Sequence, residues 1–153
     1  MKLILYDKQY KNELEELLYA FSDEVFNSKL ADIDKFINGH WAIYLAIHND
    51  KVVGFSSFML NEYYGFIEPV LGNSYLYVKP EHRSSKAMYL FSMQSAKICI
   101  ENNMSLEHYY SSEDSFKLSS KLNGVKMYTT YLYSVDEVSR IFDKFKSKIK
   151  IKD

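Results

Sequence analysis

The segment around Tyr75 to Leu90 limits the fold more than any other. A β-prone run, Ser74 to Val78, is halted by Pro80. Proline fixes φ and lacks a backbone donor, so it does not continue a strand. Glu81-His82-Arg83-Ser84-Ser85 then leads into a helix-patterned stretch from about Lys86 to Asn102. Its apolar residues lie on more than one side: Tyr89, Met93, Ala96 and Ile100 on one line, Met88, Phe91 and Ile98 on another. Such a helix is expected to be well buried. A strand that feeds through a tight, charged loop into a buried helix belongs to chains in which helices cover a sheet.

The remaining elements follow from spacing. Lys2 to Tyr6 reads as a strand, with Asp7 as a helix cap. From Tyr10 to Phe26 the apolar residues Tyr10, Leu14, Leu17, Leu18, Phe21 and Val25 recur at helical spacing. A short helix follows with Ile33, Phe36 and Ile37 on one face, capped by Asp32 and ended near Gly39. Trp41 to Ile47 and Lys51 to Met59 are strands joined by a turn at Asn49-Asp50. Asn61 to Gly72 reads as irregular, either a loop over a site or a plain connection. Leu106 to Tyr110 is a further strand. Ser111 to Asp114 starts a helix carrying Phe116, Leu118 and Leu122, which ends at Asn123-Gly124. Lys126 to Tyr133 is expected as one last strand and Val135 to Lys148 as a terminal helix, with Val138, Ile141, Phe142 and Phe145 at helical spacing. No repeat or low-complexity linker interrupts this order. The expectation is a single domain over residues 1–153, of α/β (α+β) class, with a mixed central sheet and helices on both faces.

Composition narrows the functions. With 47% hydrophobic residues the chain is not an extended disordered protein. A net charge of -1 gives no general attraction to nucleic acid or to an acidic membrane. Lys144, Lys146, Lys148, Lys150 and Lys152 make the last stretch basic, as a solvated helix end or as a weak contact for an anionic surface. Cys99 is the one cysteine, so no intrachain disulfide forms, and no Cys/His cluster suits zinc. There is no signal-peptide pattern and no membrane-length apolar run, and the chain reads as cytosolic. The 14 Tyr and 10 Phe are expected in the core and in half-buried strands, because a stacking platform for nucleic acid calls for more positive charge.

The chemistry is concentrated where the strand meets the helix. A helix start leaves orphan N–H groups and positive potential, and small residues let a phosphate approach the backbone. Arg83 and Lys86 add charge, so the loop suits a pyrophosphate. An ordinary strand-to-helix turn with surface charges is the plainer alternative.

Val78-Lys79-Pro80-Glu81-His82-Arg83 resembles the strand-to-loop junction of the GNAT (GCN5-related N-acetyltransferase) family, Val-x-Pro-x-x-Arg. The family continues with a glycine-rich loop. Here Arg83-Ser84-Ser85-Lys86-Ala87-Met88 fills both glycine positions with other residues, which is closer to a bacteriophage branch whose loop reads Arg-small-small-basic-Ala. The paired early helices, the Asn49-Asp50 hairpin and Leu122-Asn123-Gly124-Val125, similar to a Leu-Gly-Phe segment, extend the resemblance over about residues 1 to 135.

The resemblance implies an acetyl-CoA-dependent N-acetyltransferase in which an amine of a protein or small molecule attacks the thioester directly. It places the pantetheine between two splayed strands, here Tyr75 to Lys79 and Leu106 to Tyr110, against backbone groups of Tyr77 and Val78. It places the pyrophosphate on amides from Arg83, Ser84, Ser85, Lys86, Ala87 and Met88, with Ser112 where many members carry a cofactor-contacting Asn. The usual acid, a helix Tyr, is replaced by Ser119 or Ser120, and Tyr75 occupies the neighbourhood of the usual base on the fourth strand. Tyr110 is a further catalytic candidate, with Tyr109, His108, Glu68 and His40 behind it. His82 is expected to serve the turn, Trp41 the core or an edge of the acceptor cleft, and Cys99 the core. The departures from the family pattern also fit a catalytically inactive GNAT-fold protein, a virion or host-directed inhibitor component. A third reading, acyl transfer to aminoacyl-tRNA, calls for a basic face beside the cleft. Pairing of Lys126 to Tyr133 into a homodimer and covering of that edge by the terminal helix both fit the sequence.

Overall fold

The computed structural model describes residues 1–26, 32–62, 69–83, 86–109, 125–127, 130–133 and 135–148. It groups them into two compact units, one of Met1–Met59 with Tyr75–Leu90, the other of Leu60–Ser74 with Phe91–Asp153.

The first unit begins with β1 (Lys2–Leu5), a 3-10 turn over Lys8–Tyr10 and α1 (Lys11–Phe26). The turn is capped by Asp7, whose Oδ1 accepts from Gln9 N at 2.9 Å. The short helix α2 (Ile33–Asn38) is capped by Asp32, whose Oδ1 accepts from Asp34 N at 3.0 Å and Lys35 N at 3.1 Å. Lys11 Nζ reaches Asp34 Oδ1 at 2.7 Å and ties the start of α1 to α2. β2 (Ala42–His48) and β3 (Lys51–Asn61) form an antiparallel hairpin. Asn49 and Asp50 have φ of 49° and 59°, the paired positive values that a tight hairpin turn needs and that Asn and Asp tolerate. β1 adds antiparallel to β2, from Lys2↔Ile47 to Leu5↔Tyr44.

One face of this sheet meets α1 and α2. Leu14, Leu17, Leu18 and Phe21 of α1, Phe36 of α2, Ile43, Leu45 and Ile47 of β2, and Val52 and Phe55 of β3 form a contiguous core with Tyr77. The rings pack edge-on: Phe55 stands 5.9 Å from both Phe21 and Phe36, at 89° and 88°. β3 is buried from Val52 to Phe58, as befits a strand covered on both faces.

β4 (Val70–Val78) gives residues 70–74 to the second unit and residues 75–78 to the first. In the second unit it pairs in parallel with β5 (Ser105–Tyr109), from Val70↔Ser105 to Asn73↔His108. β5 pairs antiparallel with β7 (Thr130–Tyr133), which pairs antiparallel with β6 (Val125–Met127). α4 (Val135–Lys148) packs on β5 and β7 and buries Val138 and Ile141.

α3 (Lys86–Asn102) ends in the second unit with Asn103 at φ 52°, Met104 N donating to Cys99 O at 2.9 Å and Asn103 N to Ile100 O at 3.5 Å. This left-handed cap satisfies the last carbonyls, with Asn where Gly is usual.

Three expectations change. Residues 70–72 are strand rather than irregular, because Val70, Leu71 and Gly72 pair with β5 and are buried. The final strand is instead the hairpin β6–β7, paired from Val125↔Leu132 to Met127↔Thr130. The buried residues of α3 are Ala87, Phe91, Ser95, Ala96, Ile98 and Cys99, while Met88, Tyr89 and Ile100 stay more than a third exposed. The helix is therefore buried over much of its surface but not all round. The helix expected over Ser111 to Asn123 lies outside the described residues.

Candidate functional site

The chain leaves β4 at Val78 under tight control from β3. The β2–β3 register shifts between Ala46↔Gly54 and Ile47↔Val52, which leaves Val53 as a bulge. Val53 O accepts from Lys79 N at 2.9 Å, so the bulge holds the point where the loop begins. Gly54 beside it has no room for a side chain. A Cβ there would stand 2.7 Å from Tyr77 O and 3.1 Å from Val78 Cγ2. The missing Cβ is what lets the backbone of Tyr77 and Val78 come so close.

Past Val78, Lys79 and Pro80 enter a 3-10 turn over Pro80–His82. His82 N donates to Lys79 O at 2.8 Å and Arg83 N to Pro80 O at 3.3 Å. Arg83 closes the turn: its Nε donates to Val78 O at 2.9 Å and its Nη2 pairs with Glu24 Oε2 of α1. Its guanidinium carbon lies 5.5 Å from the Tyr77 ring centroid. The hydrogen bond to Glu24 holds Arg83 above its ordinary pKa, and the same bond holds the Glu24 carboxyl below the usual carboxylate range. The Tyr77 hydroxyl is pushed up, chiefly by burial.

Arg83 therefore secures the loop to α1, and both its amide and its guanidinium are engaged within the unit. Lys86 is exposed at the first position of α3, Ala87 is fully buried and Met88 is partly exposed. Lys86 thus presents a solvent-facing cation at the helix start. Ser84 and Ser85 lie outside the described residues, as do Tyr110, Ser112, Ser119, Ser120 and Glu68.

Tyr75 opens the part of β4 that belongs to the first unit and is 36% exposed. Its ring meets Phe21 at 5.5 Å, Phe36 at 5.8 Å and His40 at 5.7 Å. His40 follows α2. Its ring lies 4.3 Å from that of Phe36, and its Nδ1 is 2.7 Å from Phe36 O. Its Nε2 is buried with no hydrogen-bond partner among the described residues. Burial pushes the imidazole below its ordinary pKa, against the bond to the Phe36 carbonyl, which raises it.

The other candidates are dispersed. Trp41 is 49% exposed, so it is no part of the core. His82 stacks edge-on with His48, centroids 5.4 Å apart. His108 and Tyr109 sit in β5 opposite Tyr131 and Thr130. Cys99 is buried, its thiol pushed up to about 12 by desolvation, which leaves it inert as a nucleophile. No group of three or more His, Cys, Asp or Glu suited to a metal occurs among the described residues, and no helix among them is long and apolar enough to cross a membrane.

Two features of the loop escape a reading of the sequence. Glu24 and Arg83 are 59 residues apart, and nothing local signals their pairing. Gly54 carries a usable signal: a glycine inside a β-prone run marks a bulge or a close backbone approach.

No family model and no curated protein matches the sequence. Solved structures do. A GNAT-family acetyltransferase of Staphylococcus aureus Mu50 is 20% identical, with a TM-score of 0.62 over 88% of this chain and 98% of that one. A ribosomal-protein-alanine N-acetyltransferase of Brucella melitensis is 18% identical, with a TM-score of 0.63 over 83% and 93%. An aminoglycoside acetyltransferase from a soil metagenome is 14% identical, with a TM-score of 0.62 over 80% and 85%. The chain has the fold of the GNAT acetyltransferases.

Proposed function

We propose that this chain, built on the GNAT fold, is an acetyl-CoA-dependent N-acetyltransferase acting on an amine of a protein or small molecule. The observation that carries the reading is the path of β4 into the loop and α3. Close packing over Gly54 and the bond from Lys79 N to Val53 O fix the backbone of Tyr77 and Val78. The Arg83–Glu24 pair fixes the turn, and exposed Lys86 stands at the start of a helix from Lys86 to Asn102. The residues fit an acyl-CoA: a strand end for the amides of pantetheine, then a helix start with a solvent-facing cation for the pyrophosphate.

In this reading Arg83 acts on the loop's shape, while Lys86, Ala87, Met88, Ser84 and Ser85 line the phosphates and Ser112 assists. The chain binds the thioester and the amine side by side, so proximity supplies much of the rate, and no covalent enzyme intermediate is needed. Tyr75, Tyr110 and Ser119 are candidates for proton transfer, with Tyr109, His108, Glu68 and His40 behind them. The acceptor is left open, since the compared proteins of the same fold are named for a ribosomal-protein alanine and for aminoglycosides. Cytoplasmic location, a bacteriophage source and a homodimer belong to the same proposal.

Calorimetry with acetyl-CoA tests it. Wild type is expected to bind in the micromolar range, and Lys86→Glu at least tenfold more weakly, because a phosphate contact exchanged for a repulsion costs at least about 1.4 kcal/mol. No binding at millimolar acetyl-CoA sinks the enzyme reading and leaves the inactive GNAT-fold binding protein.

A further inference from the structure

We infer that His40 takes the proton from the acceptor amine through Nε2, and that the amine reaches it past Tyr75. The inference rests on the acetyl-transfer reading above.

The tautomer is set by the fold. Phe36 O can only accept, so the Nδ1 that lies 2.7 Å from it carries the proton. Nε2 is then left with a lone pair. That atom is buried and has no partner among the described residues, a state it shares with His48 Nδ1 and Ser57 Oγ, and native structures keep few such groups. The ring packs against Phe36, at 4.3 Å, and meets Tyr75 edge-on, at 5.7 Å. Tyr75 is the more exposed of the two, and the next residue, Trp41, is half-exposed. Tyr75 and Trp41 are thus the exposed aromatic neighbours that an incoming N–H donor would pass.

The electrostatics suit a base. Desolvation lowers the imidazole and the Phe36 carbonyl raises it, and no charged side chain among the described residues contributes to the shift. The titratable side chain whose ring meets His40 is Tyr75 on β4, and α2 presents Phe36. A neutral imidazole held in one tautomer accepts a proton without reorganising.

In the transfer, the amine nitrogen bonds to the acetyl carbon and its proton passes to Nε2. The C–S bond breaks as the tetrahedral adduct collapses. The imidazolium then returns its proton, by way of solvent, to the departing thiolate. An amine and a thioester become an amide and a thiol, with no other reactant.

His40→Asn separates this role from a structural one. The Asn amide nitrogen can replace Nδ1 as donor to Phe36 O, and nothing replaces Nε2. Side-chain nitrogen spectra, assigned by the signal lost in His40→Asn, are expected to show Nδ1–H and an unprotonated Nε2 at pH 7. A proton on Nε2 at pH 7 overturns the inference. Thiol release from acetyl-CoA is then followed with n-propylamine and with water as acceptors. His40→Asn is expected to slow it on the order of 100-fold, to remove the histidine limb of its pH profile, and to leave the acetyl-CoA Kd unchanged. If wild type binds acetyl-CoA, two results overturn the inference alone: an unchanged rate in His40→Asn, or no thiol release from wild type with either acceptor. Failure of wild type to bind acetyl-CoA overturns the transfer reading itself, and the role of His40 falls with it.

Discussion

The two compact units bury their strands with different materials. The first is built around rings, with Phe21, Phe36, Phe55 and Tyr77 in one cluster, and among the described residues its fully buried polar ones are Ser22, Ser56 and Ser57, beside the buried ring nitrogens of His40 and His48. The second buries an amide and a carboxyl, Asn73 and Glu107, together with Ser95 and Ser105. Apolar burial is non-directional and scales with area, whereas a buried amide or carboxyl is tolerable only when its hydrogen bonds are made. Ser95 Oγ accordingly donates to Phe91 O at 2.9 Å, and Asn61 Nδ2 to Glu107 Oε2 at 2.8 Å. The first unit should thus be sensitive to lost volume and the second to lost bonds.

The largest effect is expected from Phe55→Ala, which empties a fully buried position in the ring cluster. A loss of about 3–5 kcal/mol, read by urea unfolding, matches a truncated core aromatic. A loss below about 1 kcal/mol would break the contrast. Next comes Gly54→Ala. Its Cβ meets a backbone oxygen at 2.7 Å, which cannot swing away, so β4 must shift. About 1–3 kcal/mol of destabilisation is expected in the same assay, together with weaker acetyl-CoA binding, because Tyr77 and Val78 move.

Asn61→Leu tests the second unit. It keeps bulk and removes a donor to the Glu107 carboxyl, which is 5% exposed. Unfolding should show a loss of about 1–3 kcal/mol, on the order of one hydrogen bond to a buried carboxyl. Pairing it with Glu107→Met should recover part of that loss. A double mutant no better than the single would count against the directional reading.

The smallest effect concerns pH. The folded His40 binds its proton less readily than the unfolded chain does. Below the ordinary histidine value of 6.5 the unfolded state takes up more protons, so stability is full above that pH and falls as the pH drops towards the lowered folded value. Thermal unfolding of His40→Asn should show a shallower decline between pH 6.5 and 5 than wild type. Equal slopes would mean that burial does not hold the imidazole neutral.

Much of the molecule was readable before any coordinates. Asp32 before Ile33, Asn49-Asp50 between two β-prone runs, and Val138 and Ile141 on one side of the last helix each act over a few residues. Their consequences, a cap, a turn and a buried stripe, are local too. The reading went astray where a partner distant in sequence decides the state. Val70 to Gly72, punctuated by Pro69, looks irregular until β5 pairs with it. Among the site residues, Val78, Lys86 and Ala87 stand in the strand-loop-helix order that spacing suggested. Arg83 stands there as well, turned to Glu24, and only closure of a 59-residue separation shows it.

By itself the sequence determined the order of helices and strands, the tight turns and the charged loop after β4, because those depend on propensity, periodicity and capping within a few residues. The tertiary structure decided which groups the loop already holds, which backbone Gly54 admits, and that the rings of His40 and Tyr75 meet. Those depend on distances between elements, which no local spacing encodes.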